Sequence, residues 1–517
     1  MQIESVLEER ARRAPEKVAL VCGTSRWTYA ALAADVHALA QGLIALGVGA
    51  GDRVALCLEN GFEAVVSTFA VLEAGAAVVF VNPMTKAEKL AFLLHDSGAV
   101  ALLVADKKLE TVTGLLSQSP RLRTVLVVGD VPRETRTSAP DVLAWKDVVS
   151  GHDPVRPTAR AIDVDLACLL YTSGSTGSPK GVMHTHLSLL AATRSIAQYL
   201  EATRDDVVLS VLPLSFGYGL TQLLPTFLAG GTLVLERSFA YPQVTLQRMS
   251  AERCTGFAMV PTIAAILLQN DLTKFDVGSL RYVTNAGAGI APELLKELRR
   301  RLPSTRIFPM YGQTECIRAT FLPPEEVDRN PTSVGKGMPN QEMWIVDESG
   351  RRLPPGHTGE LVVRGAHLMR GYWNQPDATA QKLRPGPMPG ETVLFTGDVF
   401  RIDADGWFYF VSRKDDVIKT RGEKVSPREV ENVLHACDGV LTAAVIGVAD
   451  ALLGQSVRAF VVKKPGAELD ERAVLRHCAR HLEDFAVPRR VEFLEELPKT
   501  PNAKIDKQAL QERGGPA

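Results

Sequence analysis

Apolar and polar residues alternate along this chain in short blocks that predict strands and helices by turns. Runs at 52–58, 76–81 and 124–128 have the length and β-branched content of buried strands, whereas 29–46 and 63–74 repeat apolar residues at helical spacing. The same patterns predict strands near 101 and at 162–170, 231–235, 255–261 and 280–284, and helices at 5–14, 107–116 and 241–252. Because strands alternate with helices, we predict parallel sheets covered by helices.

The pattern changes in the last third of the chain. Short strands of a small β-rich sub-domain are predicted at 344–347, 359–363 and 393–398, before a hairpin with its turn at 405–406. Strands at 442–448 and 457–462, with helices at 427–435 and 471–482, follow. The predicted fold class is therefore α/β: a large N-terminal domain of parallel sheets layered with helices, with the β-rich sub-domain, and then a small α+β C-terminal domain.

Two stretches have less regular patterns. Residues 130–160 are rich in Pro, Arg, Thr and Asp, which predicts a surface connection. His184 and His186 are expected near the start of a helix that runs to Leu200. Histidines two positions apart on a helix point in different directions, so structural roles are favoured over a metal site.

Composition excludes several classes of protein. The 517 residues suffice for about three domains or sub-domains, and 46% are hydrophobic, which is ample for their cores. With 58 basic and 59 acidic residues the net charge is −1, so no overall field favours nucleic acid or an anionic membrane. The apolar stretch 65–81 is interrupted by Glu73 and Gly75 and is short for a membrane span. The seven cysteines form no CxxC pair, which favours reduced thiols and a cytoplasmic location.

A run of glycines and hydroxyl residues, YTSGSTGSPKGV at 171–182, follows a predicted buried strand. Bare backbone and hydroxyls bind phosphate, and one lysine adds a point charge. The residues concerned are Thr172, Ser173, Gly174, Ser175, Thr176, Gly177, Lys180 and Gly181. A Walker-type loop is excluded because Pro179 precedes Lys180 and Gly181 follows it. A Gly/Ser-rich linker has a similar composition, but the preceding strand and the single lysine favour a phosphate-binding loop.

This run resembles the phosphate loop of the adenylate-forming superfamily, which comprises acyl-CoA synthetases, aryl-CoA ligases, carrier-loading adenylation domains and beetle luciferases. Three further stretches carry the resemblance: IFPMYGQTE at 307–315, VLFTGD at 393–398 and RKDDVIKTRGEKVSP at 413–427. The resemblance extends over about 15–510 and is closest to the AMP-forming acyl-CoA synthetase and aryl-CoA ligase branch. It implies the domain division 1–414 and 415–517, with the second domain acting as a mobile lid.

The resemblance also implies the nucleotide site. Tyr311 is expected to stack on adenine, Thr314 to bind the α-phosphate, Glu315 to hold Mg²⁺ and Asp398 to accept the ribose hydroxyls. The remaining ATP or AMP contacts are expected from the phosphate loop and from Gly287, Ala288, Gly289, Gly312 and Arg413. A plain strand-to-helix turn remains an alternative for the loop 285–290.

The acyl pocket is expected at 212–220, around Phe216 and Tyr218, although packing in the core is an alternative for both rings. Many aryl-CoA ligases carry His where Phe216 stands. Amino-acid-activating members carry an Asp in this segment, and this chain has none. The acid is therefore expected to lack an α-amino group.

In the second domain, the resemblance implies that Asp415 is the hinge, that Gly422 lies beside the pantetheine arm of coenzyme A, and that Lys504 is the catalytic lysine. The family usually has Ser-Gly before this lysine, and this chain has Asn502-Ala503. Catalysis is thus assigned to Lys504, Thr314 and Glu315.

The expected reaction joins a small aromatic or aliphatic carboxylic acid to coenzyme A by way of an acyl-adenylate, with Mg²⁺ and ATP as cosubstrate and pyrophosphate released. Transfer to the phosphopantetheine of an acyl carrier protein is the first alternative. A luciferase-like oxidation and a non-catalytic nucleotide-binding protein are more distant ones. No nucleic-acid partner is expected.

Overall fold

The computed structural model describes residues 1–115, 118–132, 140–158, 160–173, 179–414, 416–421, 423–450, 453–500 and 505–514. Its helices, α1 to α15, are Ser5–Arg13, Tyr29–Ala45, Phe62–Glu73, Ala87–Ser97, Leu109–Thr113, Trp145–Ser150, His186–Tyr199, Gly217–Ala229, Pro242–Ala251, Pro261–Gln269, Pro292–Arg301, Pro376–Lys382, Pro427–His435, Glu471–His481 and Lys507–Gly514. Its strands, β1 to β28, are Val18–Cys22, Ser25–Thr28, Arg53–Cys57, Ala77–Phe80, Ala101–Ala105, Thr124–Val128, Asp141–Ala144, Leu166–Ser173, Pro179–Thr185, Val207–Ser210, Thr232–Leu235, Gly256–Met259, Tyr282–Asn285, Arg306–Tyr311, Thr320–Phe321, Lys336–Gly337, Gln341–Val346, Arg352–Leu353, Thr358–Gly365, Gly371–Tyr372, Leu383–Pro385, Thr392–Ile402, Phe408–Arg413, Ile418–Thr420, Glu423–Val425, Val440–Asp450, Gly454–Lys463 and Arg490–Leu494.

Two large sheets form the first part of the molecule. Sheet A has the strand order β16-β15-β14-β13-β12-β10-β11-β1-β2, and its central strands β10 to β14 run parallel. Sheet B has the order β20-β9-β8-β4-β3-β5-β6-β7, with parallel pairing from β8 to β7. Parallel strands end at one edge of a sheet, so the last residues of β13 and β14, Asn285 and Tyr311, lie at the same edge.

Helices fill the space between these sheets. A single apolar cluster contains Leu233 of sheet A, Val54 of sheet B and Phe69 of α3. The Phe69 ring stacks on Phe227 of α8, with centroids 5.7 Å apart. Every side chain from Ala64 to Glu73 is buried, as an apolar helix between two sheets requires.

Two smaller sheets follow. Sheet C, which has the order β18-β17-β19-β22-β21 with β23 on β22, is antiparallel. Sheet D has the order β25-β24-β27-β26 with β28 on β27, and helices α13 and α14 pack beside it around Val430, Leu434 and Val474. The α/β fold class is thus confirmed. None of the described helices is both long and apolar enough to cross a lipid bilayer.

Residues 130–160 were predicted as a surface connection, and this is wrong for 141–150. Strand β7 extends sheet B beside β6, and α6 follows it directly. Trp145 is buried, and its indole N–H donates to the Ser67 hydroxyl at 3.0 Å. The apolar run here is only a few residues long, which hid it among polar neighbours.

The strand predicted at 162–170 begins later, at Leu166, because Ile162 and Val164 are exposed. His184 was expected on a helix and instead lies on strand β9, so this expectation is wrong. The helix that follows, α7, begins at His186.

The packing of Trp145 gives a test of the corrected region. Trp145→Ala is expected to lower the free energy of unfolding by about 3–5 kcal/mol, because it leaves a cavity and an unpaired Ser67 hydroxyl. Lys146→Ala, an exposed neighbour on α6, is expected to change it by less than about 0.5 kcal/mol. Chemical denaturation of both variants measures this, and equal effects would contradict a buried α6.

Candidate active site

A buried carboxylate lies where sheet A meets sheet C. Asp398 of β22 is 5% exposed, and its Oδ2 accepts a hydrogen bond from the Tyr311 hydroxyl at 2.7 Å. The Arg413 Nε lies 3.5 Å from its Oδ1. Burial raises the pKa of Asp398, and the charge of Arg413 and the bond from Tyr311 oppose that rise. These contacts hold the Asp398 carboxyl group, a hydrogen-bond acceptor, in a fixed orientation beside the ring of Tyr311.

The backbone around Asp398 is shaped by a glycine. Gly397 has φ of +76°, a region that favours glycine, and its N–H donates to Glu360 Oε1 at 2.9 Å. The neighbouring Thr396 hydroxyl donates to the Leu361 carbonyl and accepts from the Asp398 N–H at 3.1 Å. These contacts turn the Asp398 side chain toward the end of β14.

The loop after β14 folds back tightly. A side chain on Gly312 would come within 2.7 Å of the Ile317 carbonyl oxygen, so glycine is required there. Within this loop, Glu315 Oε1 accepts a hydrogen bond from the Tyr372 hydroxyl at 2.7 Å. Burial, and then the Glu315 charge, raise the pKa of Tyr372. Tyr372 therefore holds the carboxylate that the sequence assigns to the metal.

The hairpin of β8 and β9 places a cation over the ring of Tyr372. Thr172 pairs with Lys180 across the hairpin, and Lys180 Nζ lies 5.3 Å from the centre of the Tyr372 ring. Strand β20 pairs with β9 through Tyr372 and Val182, which fixes this distance. Lys180, Tyr372 and Glu315 thus form one cluster.

His184 joins the hairpin to the loop after β14. It is fully buried, and burial lowers its pKa to about 4, so the ring is neutral at pH 7. Its Nε2 lies 2.8 Å from the Thr314 carbonyl oxygen and its Nδ1 lies 3.1 Å from the Ser188 hydroxyl. A neutral ring donates from Nε2 and accepts at Nδ1, so both nitrogens are engaged. His184 positions the backbone that carries Thr314 and Glu315.

The loop 285–290 begins at the end of β13. The Asn285 amide donates to the Ala288 carbonyl at 3.1 Å, and Gly287 has φ of +85°. Arg428 of α13 lies against this loop: its Nη2 donates to the Ile290 carbonyl at 3.2 Å. A side chain on Gly289 would collide with that guanidinium. The loop therefore touches the C-terminal part of the chain.

Phe216 and Tyr218 stand at the start of α8. Their rings meet edge to face, with centroids 6.3 Å apart, and the Tyr218 hydroxyl lies 2.6 Å from the Thr284 hydroxyl on β13. Tyr218 is 5% exposed, and burial raises its pKa. Both rings are thus placed between α8 and the carboxyl end of β13.

Several predicted site residues lie outside the described residues: Gly174, Ser175, Thr176, Gly177, Asp415, Gly422 and Lys504. Ser173 is described only by its backbone. Of the remaining ones, the structure brings together Thr172, Lys180, Tyr311, Gly312, Thr314, Glu315, Asp398 and Arg413 around the ends of β8 and β14 and the middle of β22.

Sequence reasoning missed Tyr372 as a site residue and left His184 without a defined role. The signal for Tyr372 was weak: an aromatic pair, Tyr372-Trp373, directly follows Gly371 in a polar segment. Neither partner can be read from spacing, since Tyr372 and Glu315 are separated by 57 positions.

A separate group of possible metal ligands lies on α1, α2 and α3. Ligand atoms of Glu8, His37 and Glu73 all lie within 4.8 Å of one another. However, His37 Nδ1 faces Glu73 at 2.8 Å and its Nε2 faces Glu8 at 3.3 Å. Each nitrogen thus faces one carboxylate, and the hydrogen bond between His37 and Glu73 accommodates that acid within apolar α3.

Taken together, Tyr311, Asp398 and Glu315 lie near the carboxyl edge of a parallel sheet, with Arg413 and Lys180 nearby, an arrangement suited to bind a nucleotide. The family model of the AMP-binding enzyme matches residues 7–373, and the model of the AMP-binding enzyme C-terminal domain matches 429–504. The chain belongs to the AMP-binding enzyme family. It is an AMP-forming enzyme of the acyl-CoA synthetase class, and the family resemblance stated above is confirmed.

Known relatives agree with this assignment. The chain is 34% identical to a feruloyl-CoA synthase of Amycolatopsis sp., over 98% of both chains. It is 32% identical to a long-chain-fatty-acid–CoA ligase of Salmonella typhimurium, over 90% of this chain and 86% of that one. The crystal structure of the anthranilate CoA ligase AuaEII with anthranoyl-AMP has a TM-score of 0.90 and 28% identity, over 99% of this chain and 97% of that one.

The buried His184 predicts a pH dependence of stability. In the unfolded chain a histidine binds a proton below about pH 6.5, whereas folded His184 binds one only near pH 4. Between these values the unfolded state holds more protons, so stability falls as pH falls. His184→Gln is expected to reduce this slope by up to about 1.4 kcal/mol per pH unit.

Unfolding measured from pH 7 to pH 4.5 tests this expectation. His357→Gln, which changes an exposed ring, serves as the control and is expected to leave the slope unchanged. An unaltered slope in the His184 variant would show that folding does not lower the pKa of this ring.

Proposed function

We propose that this chain is an acid–thiol ligase that uses Mg²⁺ and ATP to convert a carboxylic acid without an α-amino group into an acyl-adenylate and then into a coenzyme A thioester. The observation that carries the proposal is the pairing of two clusters at the edge of sheet A. One contains Tyr311, Asp398 and Arg413, and the other contains Glu315 and Lys180.

The two clusters suit the two ends of a nucleotide. A flat base can lie against the ring of Tyr311, and Asp398 can accept two ribose hydroxyls. Glu315 offers oxygen to Mg²⁺, which usually completes its shell with substrate phosphates and water. Lys180 and the phosphate loop are assigned to the polyphosphate, and Thr314 to the α-phosphate.

In the first half-reaction an oxygen of the substrate carboxylate forms a bond to the α-phosphorus, and the bond from that phosphorus to pyrophosphate breaks. The nucleophile is already an anion, so no general base is needed. The protein must instead offset repulsion between two anions. Lys504, Thr314 and the phosphate loop are assigned this role, and one such preorganised donor contributes about 3–4 kcal/mol.

In the second half-reaction the thiol sulfur of coenzyme A bonds to the acyl carbon, the bond to AMP breaks and the thiol proton leaves. Acyl-adenylates hydrolyse in water, so exposure between the two steps must be brief. We assign this protection to the part 415–517, turning about Asp415, with Gly422 beside the pantetheine arm. In support, all described members of two apolar clusters of this part, around Val430 and around Phe460, lie at or after Ile418.

Two features narrow the range of acids that the enzyme could activate. No Asp occurs at 212–220, where amino-acid-activating enzymes hold an ammonium group. Phe216 and Tyr218 present aromatic surface at the start of α8. The named relatives act on feruloyl, long-chain fatty and anthranilate acids, which all lack an α-amino group next to the carboxyl.

Coenzyme A is the proposed acceptor, because the segment between Glu315 and Asp398 lacks the insertion typical of fatty-acyl-AMP ligases that load carrier proteins. A phosphopantetheinylated carrier protein is the second candidate. The proposal is tested by acid-dependent exchange of labelled pyrophosphate into ATP, over a panel of aromatic and aliphatic acids. Thioester formation with free coenzyme A is then compared with a carrier protein, and absence of exchange with every acid would refute the ligase assignment.

Lys504 allows the two half-reactions to be separated. Lys504→Ala is expected to lower adenylate formation by two to three decades, because one cation is removed from between two anions. Thioester formation from supplied acyl-adenylate is expected to stay within a few-fold of the parent. Pyrophosphate exchange and single-turnover thioester assays measure the two steps.

Lys499→Ala is the matched control, since it removes an exposed lysine of the same segment, paired with Glu496. It is expected to leave both half-reactions unchanged. Equal losses of both steps in the Lys504 variant would contradict the proposed exchange of lobe positions.

A further inference from the structure

An arginine is buried beside the proposed acyl pocket. Arg318 is 2% exposed and belongs to the largest fully buried side chains of the protein. Its guanidinium lies over the ring of Tyr218, 4.9 Å from the centroid. Tyr218 is one of the two residues assigned to the acyl pocket from the sequence, so this cation lies against a residue of the proposed pocket.

The position of Arg318 is set by its backbone. Ile317 has φ of +60°, which is unusual for a β-branched residue, and the Arg318 N–H donates to the Cys316 carbonyl. Gly312 allows this turn, because a side chain there would come within 2.8 Å of the Arg318 Cα. The tight loop after β14 thus directs a cation inward rather than toward water.

Arg318 lacks a compensating anion. Its Nε is buried without a hydrogen-bond partner, and in the described part of the chain no carboxylate lies within 4.0 Å of its guanidinium. Other arginines with a buried Nε differ, since Arg10 donates to the Leu228 carbonyl and Arg458 pairs with Glu492 at 2.8 Å. A buried cation without a paired anion is costly and calls for a partner.

The neighbours of Arg318 are polar at their tips. The Tyr218 hydroxyl is hydrogen-bonded to the Thr284 hydroxyl. The Tyr199 hydroxyl lies near the guanidinium. Burial raises the pKa of Tyr199, and the charge of Arg318 opposes that rise. Hydroxyl groups bind anions but do not neutralise a cation. The groups around Arg318 could therefore hydrogen-bond to an anion, but they do not supply the negative charge themselves.

We infer that Arg318 is a specificity-determining residue that binds a second carboxylate of the acyl substrate, so that the preferred acid is a dicarboxylic acid. This inference rests on the proposed function. The reacting carboxylate goes to the nucleotide, and the second one pairs with the guanidinium between Tyr218 and Tyr199. Because the guanidinium is shielded from water, the pair discriminates strongly against an acid that leaves Arg318 unpaired.

The experiment uses triads of acids that differ only at the far end: a methyl, a hydroxymethyl or a carboxylate group, over a series of chain lengths and on benzoic acid. Pyrophosphate exchange is measured for the parent, Arg318→Met and Arg318→Lys. In the best triad the parent is expected to favour the carboxylate member by about 100-fold in kcat/KM. Arg318→Met is expected to remove this preference, and Arg318→Lys to restore part of it.

The outcomes are distinct. A parent enzyme that favours the methyl or hydroxymethyl member in every triad overturns the inference, whatever the variants do. So does an equal loss with all three members in Arg318→Met, which would indicate a purely structural arginine. Melting temperatures with and without ATP show whether each variant is folded. If Arg318→Met does not fold, the preference of the parent enzyme among the three acids decides the test. If no acid at all supports exchange, the proposed function fails and not this assignment alone.

Discussion

The buried carboxyl group of Asp398 is the constraint on which the arrangement of the site depends. A carboxylate that is removed from water must be hydrogen-bonded or paired, and its partners here come from different parts of the chain. Tyr311 arrives at the end of β14 in sheet A, whereas Arg413 ends β23 in sheet C. A shift of sheet A relative to sheet C would break the hydrogen bond from Tyr311 to Asp398, whereas Arg413 pairs with Asp398 inside sheet C and would stay beside it. The hydrogen bond from Tyr311 to Asp398 therefore fixes the distance between the residues assigned to the base and to the ribose.

A second buried side chain, His184, also connects separate strands, and it does so without a charge. His184 is neutral because burial lowers its pKa, and a neutral ring can donate to one group and accept from another. It therefore ties the strand after the phosphate loop to the Thr314 carbonyl, at 2.8 Å. Tyr372 adds a parallel connection from the neighbouring strand to Glu315. Together these protein–protein bonds orient the loop that carries the assigned metal ligand, which reduces the reorganisation needed during reaction.

Much of the fold could be predicted because its elements are strongly periodic. The helix predicted at 427–435 is found at Pro427–His435, where Pro427 opens it and the Ser426 hydroxyl caps it. Strand β7 was missed since its apolar run is short and tertiary pairing with β6 decides it. His184 was misplaced because a strand that pairs with β8 overrides the local helical pattern.

The site itself divides along similar lines. Residues carried by continuous motifs, such as Tyr311 and Glu315, could be assigned from the sequence. Tyr372 and Arg318 could not, because their importance lies in a partner, or in the lack of one, that only packing reveals. A sequence motif contains the residues assigned to contact the ligand, whereas the residues that orient them are distributed among distant strands.

The contact between the parts 1–414 and 415–517 bears on the proposed lobe motion. Arg428 is the link described at the loop 285–290: it donates to the Ile290 carbonyl, and burial lowers its pKa. A second link runs from the Ser426 hydroxyl to the Val411 carbonyl. Both are hydrogen bonds to backbone carbonyls, which water can replace, whereas the apolar clusters around Val430 and Phe460 draw only on residues from Ile418 onward. Breaking such a contact exposes polar atoms instead of core, so rotation about the proposed hinge would cost little compared with unfolding either part.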